Sequence, residues 1–354
     1  FLTHELGETA APVEAALASA SRILPLVTTA YHVSASNNRY WPEMYTAMPI
    51  VDENRPHPYR DTPIPRRAGT VSPLDPELFS RVEAFADQLV NGERSATYSP
   101  LRVAQWLEDL AESAAAHLAD AEGQTSDKSS PAFRRLAVDV AIQSALGRFF
   151  AQKLRAALAD ALYKRTGDEG RLREALDAYR AARAAYADAA EHGRAYRDDI
   201  TYGMEPWLRG HWSDRLAAID GDLADMEAEW RRATSEATPV AQQASGRPHT
   251  PLVELDNLPP EANHSHLPPV SFQRGRPVSI ELKLRPLDPS IWPISASLRY
   301  RHVNQAELYQ TVQMEHDGDR YSAAIPGEYT DSTYPLQYFF ELRDAQGRAW
   351  LYPG

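Results

Sequence analysis

Two hydrophobic periods divide this chain, and they occupy separate stretches of it. Between residues 73 and 236 apolar side chains recur every three to four positions. Leu101, Ala104, Leu107, Ala111 and Leu118 make one such row, Leu172, Leu176, Tyr179, Ala182 and Tyr186 a second, and Leu216, Ile219, Leu223, Met226 and Trp230 a third. That spacing keeps each row on one face of an α-helix. From residue 269 onward the period drops to two. Over 278–284 Val, Ile, Leu and Leu alternate with Ser, Glu and Lys, as in a strand with one buried face. Helices and strands that are segregated along the sequence, instead of alternating, predict a multidomain α+β chain.

Local punctuation sharpens both regions. Ser99-Pro100 and Ser130-Pro131 each set a capping hydroxyl before a proline at the first helical position. Asp75-Pro76 opens an earlier helix, which Asn91-Gly92 closes, and Gly123, Gly167 and Gly193 read as later stops. The helix from 130 to 165 spans roughly 50 Å at 1.5 Å per residue. Short connections between such helices predict an antiparallel bundle over 73–236. Residues 237–268, rich in Pro, Gln, Ser, Asn and His, read as a linker. Strands are expected at 278–284, 296–303, 309–315, 320–325, 337–343 and 348–352. The turns at 316–319 and 344–347 make two hairpins. The region 269–354 is thus expected to be an all-β sandwich of immunoglobulin-like type.

The first 72 residues read differently. An alanine-rich stretch at 11–22 suits a short helix. Ile23-Leu24-Pro25-Leu26-Val27-Thr28-Thr29-Ala30-Tyr31 follows, an apolar, β-branched run that reads as one buried strand of the parallel kind. A lone strand leaves its backbone groups without partners, and no partner strand follows. Residues 1–72 are therefore expected to be the end of a truncated α/β, barrel-like domain whose other strands precede Phe1. A wrapping segment studded with Pro56, Pro58, Pro63 and Pro65 completes it. The start at Phe1 and the stop after Trp350-Leu351-Tyr352 carry the same expectation of a fragment.

Several chemistries are excluded or left without support. The chain has no cysteine, so disulfide frameworks, thiol nucleophiles and cysteine-held metals are out. Lys+Arg 37 against Asp+Glu 49 gives a net charge of −12, which opposes general nucleic-acid binding. No apolar run is read as approaching the roughly 20 residues of a membrane span, so no integral membrane protein is expected. No phosphate loop, dinucleotide fingerprint or Ser-His-Asp set is present, and no cofactor is called for. His264-x-His266 has metal-like spacing but no third ligand nearby, so no metal is expected. Four lysines (Lys128, Lys153, Lys164, Lys283) among the basic residues point to a GC-rich bacterial coding bias.

The strongest candidate site is Asn37, Asn38, Tyr40, Trp41 and Glu43, at the C-terminal end of the expected strand, the edge where α/β folds gather their sites. Amides, aromatic faces and a carboxylate suit a sugar. The competing reading is a loop anchored by Trp41 and Tyr45. Glu43, Asp52 and Glu53 are carboxylates of the kind glycoside hydrolysis uses in pairs about 5–10 Å apart, but spacing along a chain does not supply that distance, and the catalytic residues stay unassigned. His57 reads as a surface residue. His211-Trp212, after an aromatic, glycine-punctuated loop at 202–210, reads as packing or as a ligand face. Trp292, Tyr300, Tyr309, Tyr334, Tyr338 and Trp350 divide between core and a candidate carbohydrate-binding face.

Two resemblances follow from these residues. Leu298-Arg299-Tyr300-Arg301 through Met314, Tyr321 to Ile325, and Tyr338-Phe339-Phe340-Glu341-Leu342-Arg343-Asp344 with Gly347 resemble immunoglobulin-like or fibronectin-III-like modules of bacterial extracellular proteins. That resemblance implies a spacer, docking or carbohydrate-contacting role, and favours the periplasm or exterior over the cytoplasm. The order of parts is similar to the C-terminal halves of large bacterial glycoside hydrolases of α-glucuronidase-like and O-GlcNAcase-like layout: a last barrel-like strand, a Trp-Pro-Glu loop, a helical domain, then a β-sandwich. It implies a largely non-catalytic portion of a carbohydrate-active enzyme, with carbohydrate and an upstream catalytic domain of the same polypeptide as partners. No motif matches residue by residue, so no catalytic residue is carried over. The alternative is a non-enzymatic glycan- or protein-binding scaffold, and the state of residues 23–31 discriminates the two.

Overall fold

Both serine caps form as the sequence places them. The Ser99 hydroxyl accepts from the Arg102 amide at 3.0 Å, and the Ser130 hydroxyl from the Phe133 amide at 3.3 Å. Each satisfies one of the amides that a first helical turn leaves unpaired. The computed structural model describes residues 6–30, 48–52, 67–196, 200–201, 209–236, 250–256, 262–288, 290, 294–304 and 306–353. Its principal helices are α1 (Ala10–Ala20), α2 (Ile23–Ala30), α3 (Val82–Asn91), α4 (Pro100–Gln124), α5 (Pro131–Thr166), α6 (Glu169–Gly193) and α7 (Leu216–Glu236). The chain divides into two compact units. The first holds Phe1–Pro76, Ser80–Val90 and Ser99–Leu255, the second Glu77–Phe79, Asn91–Tyr98 and Asp256–Gly354.

The first unit is built around α5. At 36 residues this helix is about 54 Å long. Between Ser144 and Leu162 it is buried on nearly every side, as a central helix must be. Helices α4 and α6 pack along it, α1 and α2 lie on α4 and α5, and α7 lies on α6. Phe149 meets Phe150 and Tyr186 edge-on at centroid distances of 5.0 and 5.1 Å. Gly147 is what lets the layers approach. A Cβ there would stand 3.1 Å from Ile23 Cδ1 and 3.2 Å from both Ala111 Cβ and the Leu107 carbonyl oxygen. The 70° φ of Gly167 ends α5 in a left-handed cap.

Residues 23–30 correct the expectation of a strand. They form helix α2, so the run that was to complete a barrel-like sheet supplies no strand. The sequence is ambiguous because Ile, Val and Thr favour strands. What decides is burial at helical spacing: Ile23 and Val27, one turn apart, are sealed against the unit's interior. Pro25 falls in the first turn, where no amide is needed. Thr28 and Thr29 turn their hydroxyls back onto the Leu24 and Pro25 carbonyls at 2.9 and 2.8 Å, a bond that threonines make inside helices. The stretch Ala10–Ala30 reaches the length and hydropathy of a membrane-crossing helix. Here it is two helices whose Val13, Ala16, Ala20, Ile23 and Val27 are buried within the unit, and it gives no evidence of a span.

The second unit has two four-stranded antiparallel sheets. Following a two-residue ladder in the first unit, β1 (Ile200–Thr201) with β2 (Arg209–Gly210), the strands here are β3 (Ala262–Ser265), β4 (Val278–Pro286), β5 (Ser295–His302), β6 (Gln310–Gln313), β7 (Glu315–Asp317), β8 (Arg320–Ile325), β9 (Leu336–Arg343) and β10 (Ala349–Tyr352). Sheet orders are β10-β9-β5-β6 and β3-β4-β8-β7. Alternate residues of both sheets, among them Ile280, Leu282, Leu298, Tyr321, Phe340 and Trp350, share one core. Both turn-predicted hairpins are present: Asp317 pairs with Arg320, and Arg343 with Ala349. Gly318 and Gly347 take the positive φ those turns require. Strand β3 lies inside the stretch expected to be linker, paired along the edge of β4.

The outer face of the β9–β10 sheet is covered by chain from the helical stretch of the sequence. Leu78, Ala96 and Tyr98 pack on Tyr309, Phe339, Ala349 and Leu351. Phe79 bridges to Tyr98 in parallel, and the Tyr98 hydroxyl donates to the Pro353 carbonyl at 3.0 Å. Glu77 accepts from Arg299 at 2.8 Å and from the Tyr309 amide at 3.0 Å. This is why α3 begins at Val82 instead of near Asp75: residues 77–79 are committed to the sheet.

Candidate functional site

The sugar-like set Asn37, Asn38, Tyr40, Trp41 and Glu43 lies outside the described residues, as do Glu53, His57, Trp292 and residues 202–208. Other sequence candidates have structural work. His211 caps the turn before α7. Its Nδ1 accepts from the Ser213 amide at 3.2 Å, and its Nε2 reaches the Gly193 carbonyl at 2.9 Å, which makes Nε2 the protonated nitrogen. Asp214 accepts in return from the His211 amide at 2.7 Å. His266 bridges the Glu281 carbonyl and the Tyr338 hydroxyl at 2.6 and 2.7 Å, and His264 stands edge-on to Tyr352 at 4.3 Å. Tyr300 and Trp350 are core and Tyr309 lies under the covering segment, so the β-region aromatics do not share one face. Tyr334 is exposed.

The structure assembles a groove that no motif announced. Its volume is about 710 Å³, and it runs along the α1–α2 junction and α5. Leu17, Ala20, Leu24, Val140 and Ile142 make it apolar, Glu14, Asp139 and Gln143 add polar groups, and Tyr196 and Trp212 add rings. The two rings sit 5.9 Å apart at 43°. Each is held in place. The Tyr196 hydroxyl donates to Asp139, and burial, then this bond, pushes its pKa up to about 12. Trp212 fills space left by Gly193, where a Cβ would stand 2.7 Å from Trp212 Cε3. Gly193→Ala is therefore expected to keep α6 but displace the indole, costing about 1–3 kcal/mol, visible as altered near-UV circular dichroism and tryptophan emission. An unchanged tryptophan environment would contradict this packing. Beyond Tyr196, Arg134 and Arg135 line a smaller recess of about 250 Å³.

A second cluster is buried and ionisable. Lys153, on α5, donates to the Met48 carbonyl at 2.5 Å and faces the Phe149 and Tyr179 rings at 5.4 and 6.0 Å. Burial pulls its ammonium down to about 8, against the attraction of Asp222. Asp222, on α7, accepts from the Ile50 and Val51 amides at 2.8 and 3.3 Å. Together they hold residues 48–51 inside the unit. The sequence clue was a rare lysine set between Phe149-Phe150 and Leu154 on a face otherwise apolar.

Asp160 lies further along α5. One oxygen takes Lys164 at 2.7 Å, and the other is buried with no partner among the described residues. Burial raises its pKa to about 6, with Lys164 opposing. The folded state then holds the proton more tightly than the unfolded chain, so stability falls as pH rises from about 4 through about 6. Asp160→Asn removes that penalty. We expect it to stabilise the protein by roughly 1–3 kcal/mol at pH 7 and to flatten this part of the pH–stability curve in urea titrations. Destabilisation at pH 7 would mean that the Lys164 pair outweighs desolvation.

No protein-family model matches the chain, and no curated protein sequence matches it. Among solved structures, a GH138 enzyme targeting pectin rhamnogalacturonan II aligns with 66% of this chain at 13% identity and a TM-score of 0.53. The alignment takes in 34% of that enzyme, so the chain spans about a third of its length. Pseudomonas fluorescens alkylpurine DNA glycosylase AlkC, bound to DNA containing an abasic-site analogue, aligns with 77% of this chain and 96% of its own, at 11% identity and a TM-score of 0.18, too low to carry an argument. Over 66% of its length the chain thus shares a fold with part of a glycoside hydrolase.

Proposed function

We propose that the chain is a largely non-catalytic, C-terminal portion of a bacterial carbohydrate-active enzyme of the glycoside-hydrolase class. On this reading the helical unit supports a substrate cleft, and the β unit is an accessory module of immunoglobulin-like type. Asn37, Asn38, Tyr40, Trp41 and Glu43 contact sugar, and the acid–base pair is supplied by a catalytic domain outside this chain. The observation that carries the reading is the fold shared with the GH138 enzyme over 66% of the chain. That enzyme's named target, rhamnogalacturonan II, is the first glycan to test. Affinity electrophoresis of the purified chain in gels containing it should show retardation, with no release of reducing sugar. Turnover by these residues, lost in Glu43→Gln, would overturn the non-catalytic role. Failure to bind this or any plant or bacterial polysaccharide would overturn the carbohydrate reading.

The helical state of Ile23–Ala30 favours a second reading, a glycan- or protein-binding scaffold that needs no barrel. An immunoblot of source cells separates the two. A native band much larger than the chain supports the enzyme portion, and a band at its own size supports the scaffold.

A further inference from the structure

We infer that the groove between the α1–α2 junction, α5, Tyr196 and Trp212 holds a neutral, hydroxyl-rich sugar ring. The inference rests on the carbohydrate reading above and gives it a site among the described residues, separate from Asn37–Glu43. Its volume of about 710 Å³ falls within the range of small-molecule sites, about 300–1,000 Å³. Two inclined aromatic rings suit the apolar C–H faces of a pyranose, and such surfaces bind through flat contact at low conformational cost. Neither ring has to be ordered on binding. Tyr196 is tied to Asp139 and Trp212 is seated over Gly193, so the cost of preorganisation is met in the fold.

The polar groups fix the ligand's charge. Glu14 and Gln143 make no side-chain hydrogen bond among the described residues, and they line the groove together with Asp139. An amide and two carboxylates pair well with hydroxyl donors. Two carboxylates repel an anion, so the groove itself selects a neutral ring, while Arg134 and Arg135 line the separate recess beyond Tyr196. An apolar peptide would use Leu17, Leu24, Val140 and Ile142 but leave these polar groups desolvated and unpaired, which is costly.

The test uses the full chain with methyl β-D-galactopyranoside, methyl α-L-rhamnopyranoside and methyl β-D-xylopyranoside as neutral probes and galacturonate as the anionic comparator. Binding is read by saturation-transfer NMR and tryptophan fluorescence. At least one neutral glycoside should bind, more tightly than galacturonate. Trp212→Ala should weaken it at least tenfold and Gln143→Ala severalfold. Ala18→Arg, on an exposed position lining the groove, should block it while leaving the buried core untouched, which covers the case in which Trp212→Ala fails to fold. If the neutral probes do not bind, or bind equally to the Ala18→Arg chain, or bind less well than galacturonate, the groove inference falls. Retention of rhamnogalacturonan II in that event leaves the functional reading standing. Loss of all glycan binding removes both.

Discussion

Asp222→Ala should cost the helical unit roughly 3–5 kcal/mol, because two backbone amides lose the carboxylate they donate to, at about 1.5–3 kcal/mol for each charge-assisted bond. Asp222 is completely buried and holds the Ile50 and Val51 amides. Its removal orphans two backbone donors and takes away a carboxylate whose attraction favours the charged form of Lys153, which is buried beside Phe149, Tyr179 and the Met48 carbonyl. The urea midpoint should fall sharply. The pH dependence gives an independent signature. Burial holds the Lys153 pKa near 8 in the folded state, below the ordinary lysine value of 10.5. The unfolded chain therefore binds more protons between those values, and wild-type stability rises as pH increases through that window. Without Asp222 the ammonium is disfavoured further, so the rise should begin at lower pH. Lys153→Met combined with Asp222→Asn should lose less than the two single changes summed, because the charges act as a unit. Additive losses would show that the pair does not interact.

A polypeptide limited to residues 256–354 should not fold as the β unit does in the full chain. It lacks Leu78, Ala96 and Tyr98, which cover Tyr309, Phe339, Ala349 and Leu351. It also lacks Glu77, which engages Arg299 and the Tyr309 amide. Burying a phenylalanine or leucine side chain is worth about 1.5–3 kcal/mol each, and a domain has only about 5–15 kcal/mol in total. The shortened polypeptide should bind hydrophobic dyes and melt without a sharp transition, whereas the full chain should not. In the full chain, Ala96→Asp should reproduce much of the damage by setting a charge under the cover. A cooperative, dye-free 256–354 fragment would show that residues 77–79 and 91–98 are a passive cover.

The parts of this protein legible in its sequence are those whose cause is local. A serine hydroxyl three residues from the amide it accepts made the starts of α4 and α5 readable. The 3.6-residue rows of α4, α6 and α7, and glycine where a hairpin demands positive φ at 318 and 347, were readable for the same reason. The segregation of helix from sheet followed from period alone. The candidate residues Asn37 to Glu43 were legible only as chemistry, since nothing within that stretch says what surrounds it.

What the tertiary structure alone decided depends on partners far along the chain. Ile23–Ala30 carries β-branched residues with no local arbiter, and it became a helix because Gly147 on α5 opens a seat for Ile23. Residues 77–79 and 91–98 flank a helix in sequence, yet they belong to the β unit through Arg299, Tyr309 and Phe339, which lie far along the chain. The Lys153–Asp222 pair and the Tyr196–Trp212 groove likewise join residues from separate elements. Periodicity reports which face of an element is apolar. It carries no record of which other element will meet that face, because that choice is made by packing and by the need of each buried charge and amide for a partner.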